Sequence, residues 1–282
     1  MGVRSGHSRA VLWLVILAAA SSIGWSARTT RHLAWSAVDF LPPDLAAQVR
    51  RHHRRFDAGI ERGLTAPPAW RAAQPGRLAE ALVASANQCT EGLDRPIALE
   101  DLVEELGVLA VRVIDANDPL AVVHDDPREA RYAQAYQTYV DSVLGRVRLV
   151  YYGRDYDLAH RGDLKGVIEG AFERSRELYP FVGEEFYRTD SLRSWKSLDD
   201  RSVAFGVAGV ALSRGLTDFA NICNWVWAGG GGYVPAPRPT PKGHRGPTVT
   251  LAPRLASGFE GRDKPKRGAP VMGTGGMTLP PP

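Results

Sequence analysis

Apolar side chains in this chain recur at intervals of three and four nearly throughout and at intervals of two almost nowhere, and that regularity restricts the fold to packed helices. Over 43–64 the repeat passes through Leu45, Val49, Phe56, Ile60 and Leu64. Over 99–116 it passes through Leu102, Leu106, Leu109, Val113 and Ile114, and over 128–152 through Tyr132, Tyr136, Tyr139, Val143 and Val147. The same reading predicts helices over 32–41, 77–86, 164–178 and 202–227. Pro42 and Pro43 end the first of these, and Pro43 doubles as the first-turn proline of the next. An all-α, multi-helix bundle is therefore expected. A chain of 282 residues, 44% hydrophobic and 23% charged, has enough apolar surface for a core that needs no staples.

The ends of the chain differ from its body. Arg4 and Arg9 precede an apolar run over 10–20, the length of a signal-peptide core and short for a membrane span. Ser22 and Gly24 are small residues where a signal peptidase reads, so residues 1–24 are expected to be removed, leaving Trp25 at the new N-terminus of a secreted or periplasmic protein. Retention of the segment as a membrane anchor is the competing reading, because Ile23 and Trp25 lengthen it. From Gly229 four consecutive glycines and many prolines predict a disordered tail over 229–282, with a helical domain over 25–228. Cys89 and Cys223 fit either one disulfide or two buried thiols. The formal charge of +4 is scattered rather than gathered into a basic stripe with interleaved aromatics, which argues against a nucleic-acid partner.

Three fragments carry a resemblance. The first is Trp25-Ser26-Ala27 followed by His32-Leu33-Ala34-Trp35. The second is Asp115-Ala116-Asn117-Asp118-Pro119-Leu120-Ala121, and the third runs from Tyr132 to Asp141 with its tyrosines at 132, 136 and 139. Together, over 25–227, they resemble the bacterial zinc-dependent phospholipase C family, which shares its fold with single-strand-specific fungal nucleases. The resemblance implies a bundle of that type, with zinc held by the amine and carbonyl of Trp25, by His32 and by Asp115. An α-amine ionises near pH 8 and can ligate at little cost. The remaining family ligand positions fall on Val111, Ala121, Ala133 and Gln137, which supply no histidine, thiolate or carboxylate. Structural zinc is worth on the order of 10 kcal/mol to a fold that depends on it, so apolar filling is expected to replace it at these positions.

Two functions follow from the resemblance. One is a non-catalytic module at the cell envelope that binds a phospholipid or another envelope component. The other is a phosphodiester hydrolase with a reduced zinc site built on Trp25, His32 and Asp115, joined by His124. Plain structural roles compete for the same residues. His32 can serve as a satisfied histidine, Asp115 as a turn hydrogen-bond acceptor, and Asp126 as the cap of the helix after Pro127.

Overall fold

In the computed structural model the described residues are 24–65, 75–94, 98–123, 126–187 and 191–235. The proposed signal segment up to residue 23, His124 and the chain beyond 235 lie outside them. Every regular element among the described residues is helical. Ser26 caps α1 (Ala27–Ala37), its hydroxyl accepting from the Thr29 N–H at 3.1 Å. A 3-10 turn over Val38–Phe40 and the Pro42-Pro43 pair redirect the chain into α2 (Pro43–Arg51). The long helix expected over 43–64 is divided, because His52 leaves helical geometry at φ −102°, ψ 34° before α3 (His53–Leu64) begins. There follow α4 (Pro75–Asp94), α5 (Leu99–Ala116), the single turn α6 (Pro119–Val122), α7 (Glu129–Val143) and α8 (Tyr156–Arg161). The long helices α9 (Leu164–Phe186) and α10 (Val203–Gly229) complete the order.

Two features organise the bundle. On α3 and α5 the helix backbones touch through glycine. Gly59 faces Glu104 and Gly107, and Gly63 faces Val108 and Val111, so residue numbers rise together and the helices run parallel. A β-carbon on Gly107 would overlap the Phe56 carbonyl oxygen and stand 2.9 Å from the Ile60 nitrogen. Arg55 and Arg62 rim this contact, pairing with Glu104 at 3.0 and 2.8 Å. These exposed pairs add little energy.

The second feature is α10, which packs against α1, α4, α5, α8 and α9. It is the one helix among the described residues long and apolar enough to cross a membrane, yet 78% of its apolar window is buried in the bundle, as for a core helix. Its Ser213, Thr217 and Asn221 form a stripe one turn apart. They accept the backbone N–H groups of Val150, Tyr152 and Asp155 at 3.0, 3.1 and 3.0 Å. That ladder explains why α7 stops at Val143 rather than reaching 152: residues 148–155 leave the helix, and the N–H groups of Val150, Tyr152 and Asp155 are satisfied from another helix. Tyr132, Tyr136 and Tyr139 are fully buried on the face their spacing predicts. In α9 the helix continues past 178 through Pro180, which removes one donor while Tyr179, Val182 and Phe186 remain in the core.

The glycine run beyond α10 is a built turn. Gly231 has φ +77°, the Gly232 N–H donates to the Trp227 carbonyl at 2.8 Å, and Gly232 lies so close to the Trp227 indole that no side chain fits there. Residues 230–235 continue from this turn, and the rest of the tail expected over 229–282 lies outside the described residues. Cys89 and Cys223 are free, buried thiols.

Candidate functional site

Two of the positions singled out by the resemblance, Asp115 and Gln137, meet Gly24 where the chain enters α1. Gly24 adopts φ +123°, and a β-carbon there would stand 3.1 Å from Asp115 Oδ1, so this residue is seated directly on the Asp115 carboxylate. Gln137 donates its amide N–H to the Gly24 carbonyl oxygen. Trp25 is 3% exposed, and its indole packs on Tyr136 with centroids 5.9 Å apart. One turn further along α7, Asp141 accepts hydrogen bonds from the hydroxyls of Ser26 and, at 2.7 Å, Thr29. Groups from α5 and α7 thus clamp residues 24–29.

Asp118 closes the lower side, where its carboxylate caps α6 through the Leu120 N–H at 2.9 Å. Burial, then the nearby Asp118 carboxylate, pushes the Tyr136 hydroxyl well above its ordinary pKa, so it stays protonated. The arrangement is a set of acceptors and neutral donors around a chain segment, in which the Ser26 and Thr29 hydroxyls are both turned onto the Asp141 carboxylate at the start of α1.

Of the three residues expected to share a metal, Asp115 abuts Gly24, Trp25 packs its indole on Tyr136, and His32 faces away. The buried face of α1 consists of Thr29, Thr30, Leu33, Ala34 and Ala37, which turns His32 outward to solvent. Val111, one turn before Asp115, packs its methyl group towards Gly63 of α3, and Ala133 lies half-buried one turn before Gln137. Ala121 is buried in α6. Among the described residues no three His, Cys, Asp or Glu side chains converge. Gln137 presents its amide nitrogen, not an acceptor, to the Gly24 carbonyl. This donor set does not fit the zinc centre the resemblance implies.

A second polar group was legible but overlooked. Arg214 and Asp218 are the two charges in the otherwise apolar α10, four residues apart. Asp218 accepts from Arg174 at 2.8 Å and from the Asn117 amide at 3.1 Å, and Arg214 reaches the Arg174 carbonyl at 3.3 Å. Burial raises the Asp218 pKa against the opposing pull of Arg174. The adjoining hollow, between Leu82, Val113, Ile168 and Ile222, measures about 10 Å³, room for one water and not for a substrate.

Two grooves open on the surface. One, of about 350 Å³, lies between Arg128, Phe181, Glu184 and Tyr187. There Asp126 pairs with Arg128, which drops the Asp126 pKa, and Arg128 lies 4.7 Å over the Tyr187 ring. The other, of about 500 Å³, is walled by Phe40, Tyr151 and Tyr156. Comparison with protein-family models and with curated proteins finds no match to the chain.

Proposed function

We propose that the chain is an exported helical module related to the zinc-dependent phospholipase C and nuclease superfamily, acting by binding an envelope component rather than by hydrolysis. One observation supports this reading: the positions the resemblance gives to metal ligands read Val111, Ala121, Ala133 and Gln137, and His32 faces solvent away from Asp115. Hydrolysis of a phosphodiester by that superfamily's chemistry needs metal-activated water and cations to neutralise developing charge. A neutral amide at 137, aliphatic side chains at 111, 121 and 133 and the protonated Tyr136 supply neither. What remains is a stable scaffold with grooves suited to contact.

Metal analysis of the purified exported protein, together with an assay on phospholipid and on simple phosphodiesters, tests the proposal. Sub-stoichiometric zinc and no turnover are expected. Two or three zinc ions per chain with turnover that His32→Ala abolishes would establish the hydrolase instead. Amino-terminal sequencing of the exported form is expected to begin at Trp25, and an intact Met1 would remove the export element of the reading.

A further inference from the structure

The polar group on α10 holds one cation more than it pairs. Arg214 is half-buried, and its guanidinium stays charged at any working pH. One of its five N–H groups reaches the Arg174 carbonyl at 3.3 Å, and among the described residues it forms no ion pair. Asp218, the partner that helical spacing would give it, is committed instead to Arg174 at 2.8 Å and to the Asn117 amide at 3.1 Å. Glu177, the other carboxylate whose charge reaches Arg214, is exposed on α9. Burial and then the neighbouring Arg174 charge lower the Arg214 pKa, the sign of a cation that its surroundings do not balance. A charge so placed costs free energy until an anion joins it.

Three parts of the fold converge on this cation. α10 supplies Arg214 and α9 supplies Arg174. Residues 148–155 supply Tyr152, whose backbone N–H is fixed on Thr217 at 3.1 Å, within one turn of both Arg214 and Asp218. The Tyr152 side chain is 43% exposed, and it lies near enough to act on the Arg214 charge. The ladder from α10 therefore does more than end α7, because it holds a tyrosine beside two guanidinium groups. A guanidinium fork matches two oxygens of a phosphate, whose remaining oxygens can accept from a second fork and a hydroxyl. A carboxylate, with two oxygens, is matched by a single fork.

We propose that Arg174, Arg214 and Tyr152 form a binding site for a single phosphate group, at the seam between α9, α10 and residues 148–155. Asp218 anchors Arg174 there and eases the repulsion between the two cations. The site needs neither zinc nor a reaction, and so stands whether or not the domain hydrolyses anything. Free phosphate and the headgroup of an anionic phospholipid share the required chemistry; the second source rests on the envelope-binding reading above.

The test titrates the isotope-labelled full chain with sodium phosphate, and separately with sodium chloride, at matched ionic strength. The side-chain N–H signals of Arg174 and Arg214 and the Tyr152 amide are expected to move along a saturating curve in phosphate and to stay in place in chloride. Arg214→Gln leaves the pair of Arg174 with Asp218 intact and should raise the midpoint about tenfold, the worth of a hydrogen bond to a charged group. Tyr152→Phe keeps the ring and should raise it by a smaller factor. Shifts that chloride reproduces, or an Arg214→Gln midpoint equal to that of the unaltered chain, overturn the site. Vesicles of phosphatidylglycerol and of phosphatidylcholine separate the sources. Capture by the first alone, lost in Arg214→Gln and relieved by free phosphate, assigns the headgroup. Saturable phosphate binding without capture supports the site with free phosphate as its ligand, and counts against phospholipid as the envelope component.

Discussion

Replacing Gly107 by alanine sets two effects against each other with opposite signs. In a solvent-facing helix the change stabilises by about 1 kcal/mol, since alanine has the better helix propensity. At Gly107 the new methyl group would overlap the Phe56 carbonyl and crowd the Ile60 nitrogen at 2.9 Å and the Gly59 carbon at 3.0 Å, all of them backbone that no rotamer change can move. Relief requires α3 and α5 to part by roughly 1 Å, a gap that forfeits a quarter to a half of each van der Waals contact across it. With Phe56, Ile60, Val103 and Leu106 buried at this seam, the packing loss is about 3–4 kcal/mol against the gain of about 1, a net cost of about 2–3 kcal/mol. For a domain of this size the melting temperature should fall by about 5–10 °C. Thermal unfolding followed by circular dichroism measures it, with Gly170→Ala as control. There the new methyl group would meet only the flexible end of Arg174 at 3.2 Å, and a gain of about 0.5–1 kcal/mol is expected. An unchanged or raised melting temperature for Gly107→Ala would refute the glycine seam.

Other outcomes follow from the same geometry. Burial raises the Asp218 pKa above its unfolded value, so its contribution to stability is fully present below the unfolded pKa and is lost as pH rises through the folded one; Asp218→Asn should show little difference at pH 3 and a growing advantage in melting temperature towards pH 7. Cys89, pushed up to about 12, holds a thiolate fraction of roughly one in ten thousand at pH 8, so both thiols should react with a disulfide reagent only as fast as the protein opens, and at full speed in denaturant. In the uncleaved chain Gln137→Leu strands the Gly24 carbonyl in the interior at a cost of about 1–3 kcal/mol, and hydrogen exchange should quicken first over 29–33. Thr217→Val leaves the Tyr152 N–H without its acceptor and should cost about 1–2 kcal/mol in urea unfolding, with m unchanged.

The helices whose signals are local were readable to within a residue or two. α5 has a continuous apolar face and ends just before Pro119, and α10 begins at a serine cap, so neither depends on distant partners. The end of α7 was not readable in the same way. Val147, Leu149 and Tyr151 prolong the helical spacing, and what straightens the chain is a polar stripe some sixty residues later, on another helix. At the site, the orientation of His32 depended on helix phase. α1 starts at Ala27, five residues before the expected point, and Leu33, Ala34 and Ala37 then occupy the inner face. That phase was present in the sequence, because three small or apolar residues flank His32 on one side only. The turn at 230–232 was not readable for a different reason. Composition alone does not distinguish a loose linker from a turn compressed against tryptophan.

The parallel course of α3 and α5 has a consequence for assembly. Antiparallel neighbours can zip from a short hairpin, but two helices that point the same way must be joined by chain that returns along their length, and α4 occupies part of that return. The seam at Gly59 and Gly107 therefore closes a loop of nearly fifty residues before it yields any contact energy, an entropic charge that depends only weakly on loop length but must be met early. Collapse of this domain is expected to be slower than that of an up-and-down bundle of equal size, with the rate set by how often two bare backbone patches find each other.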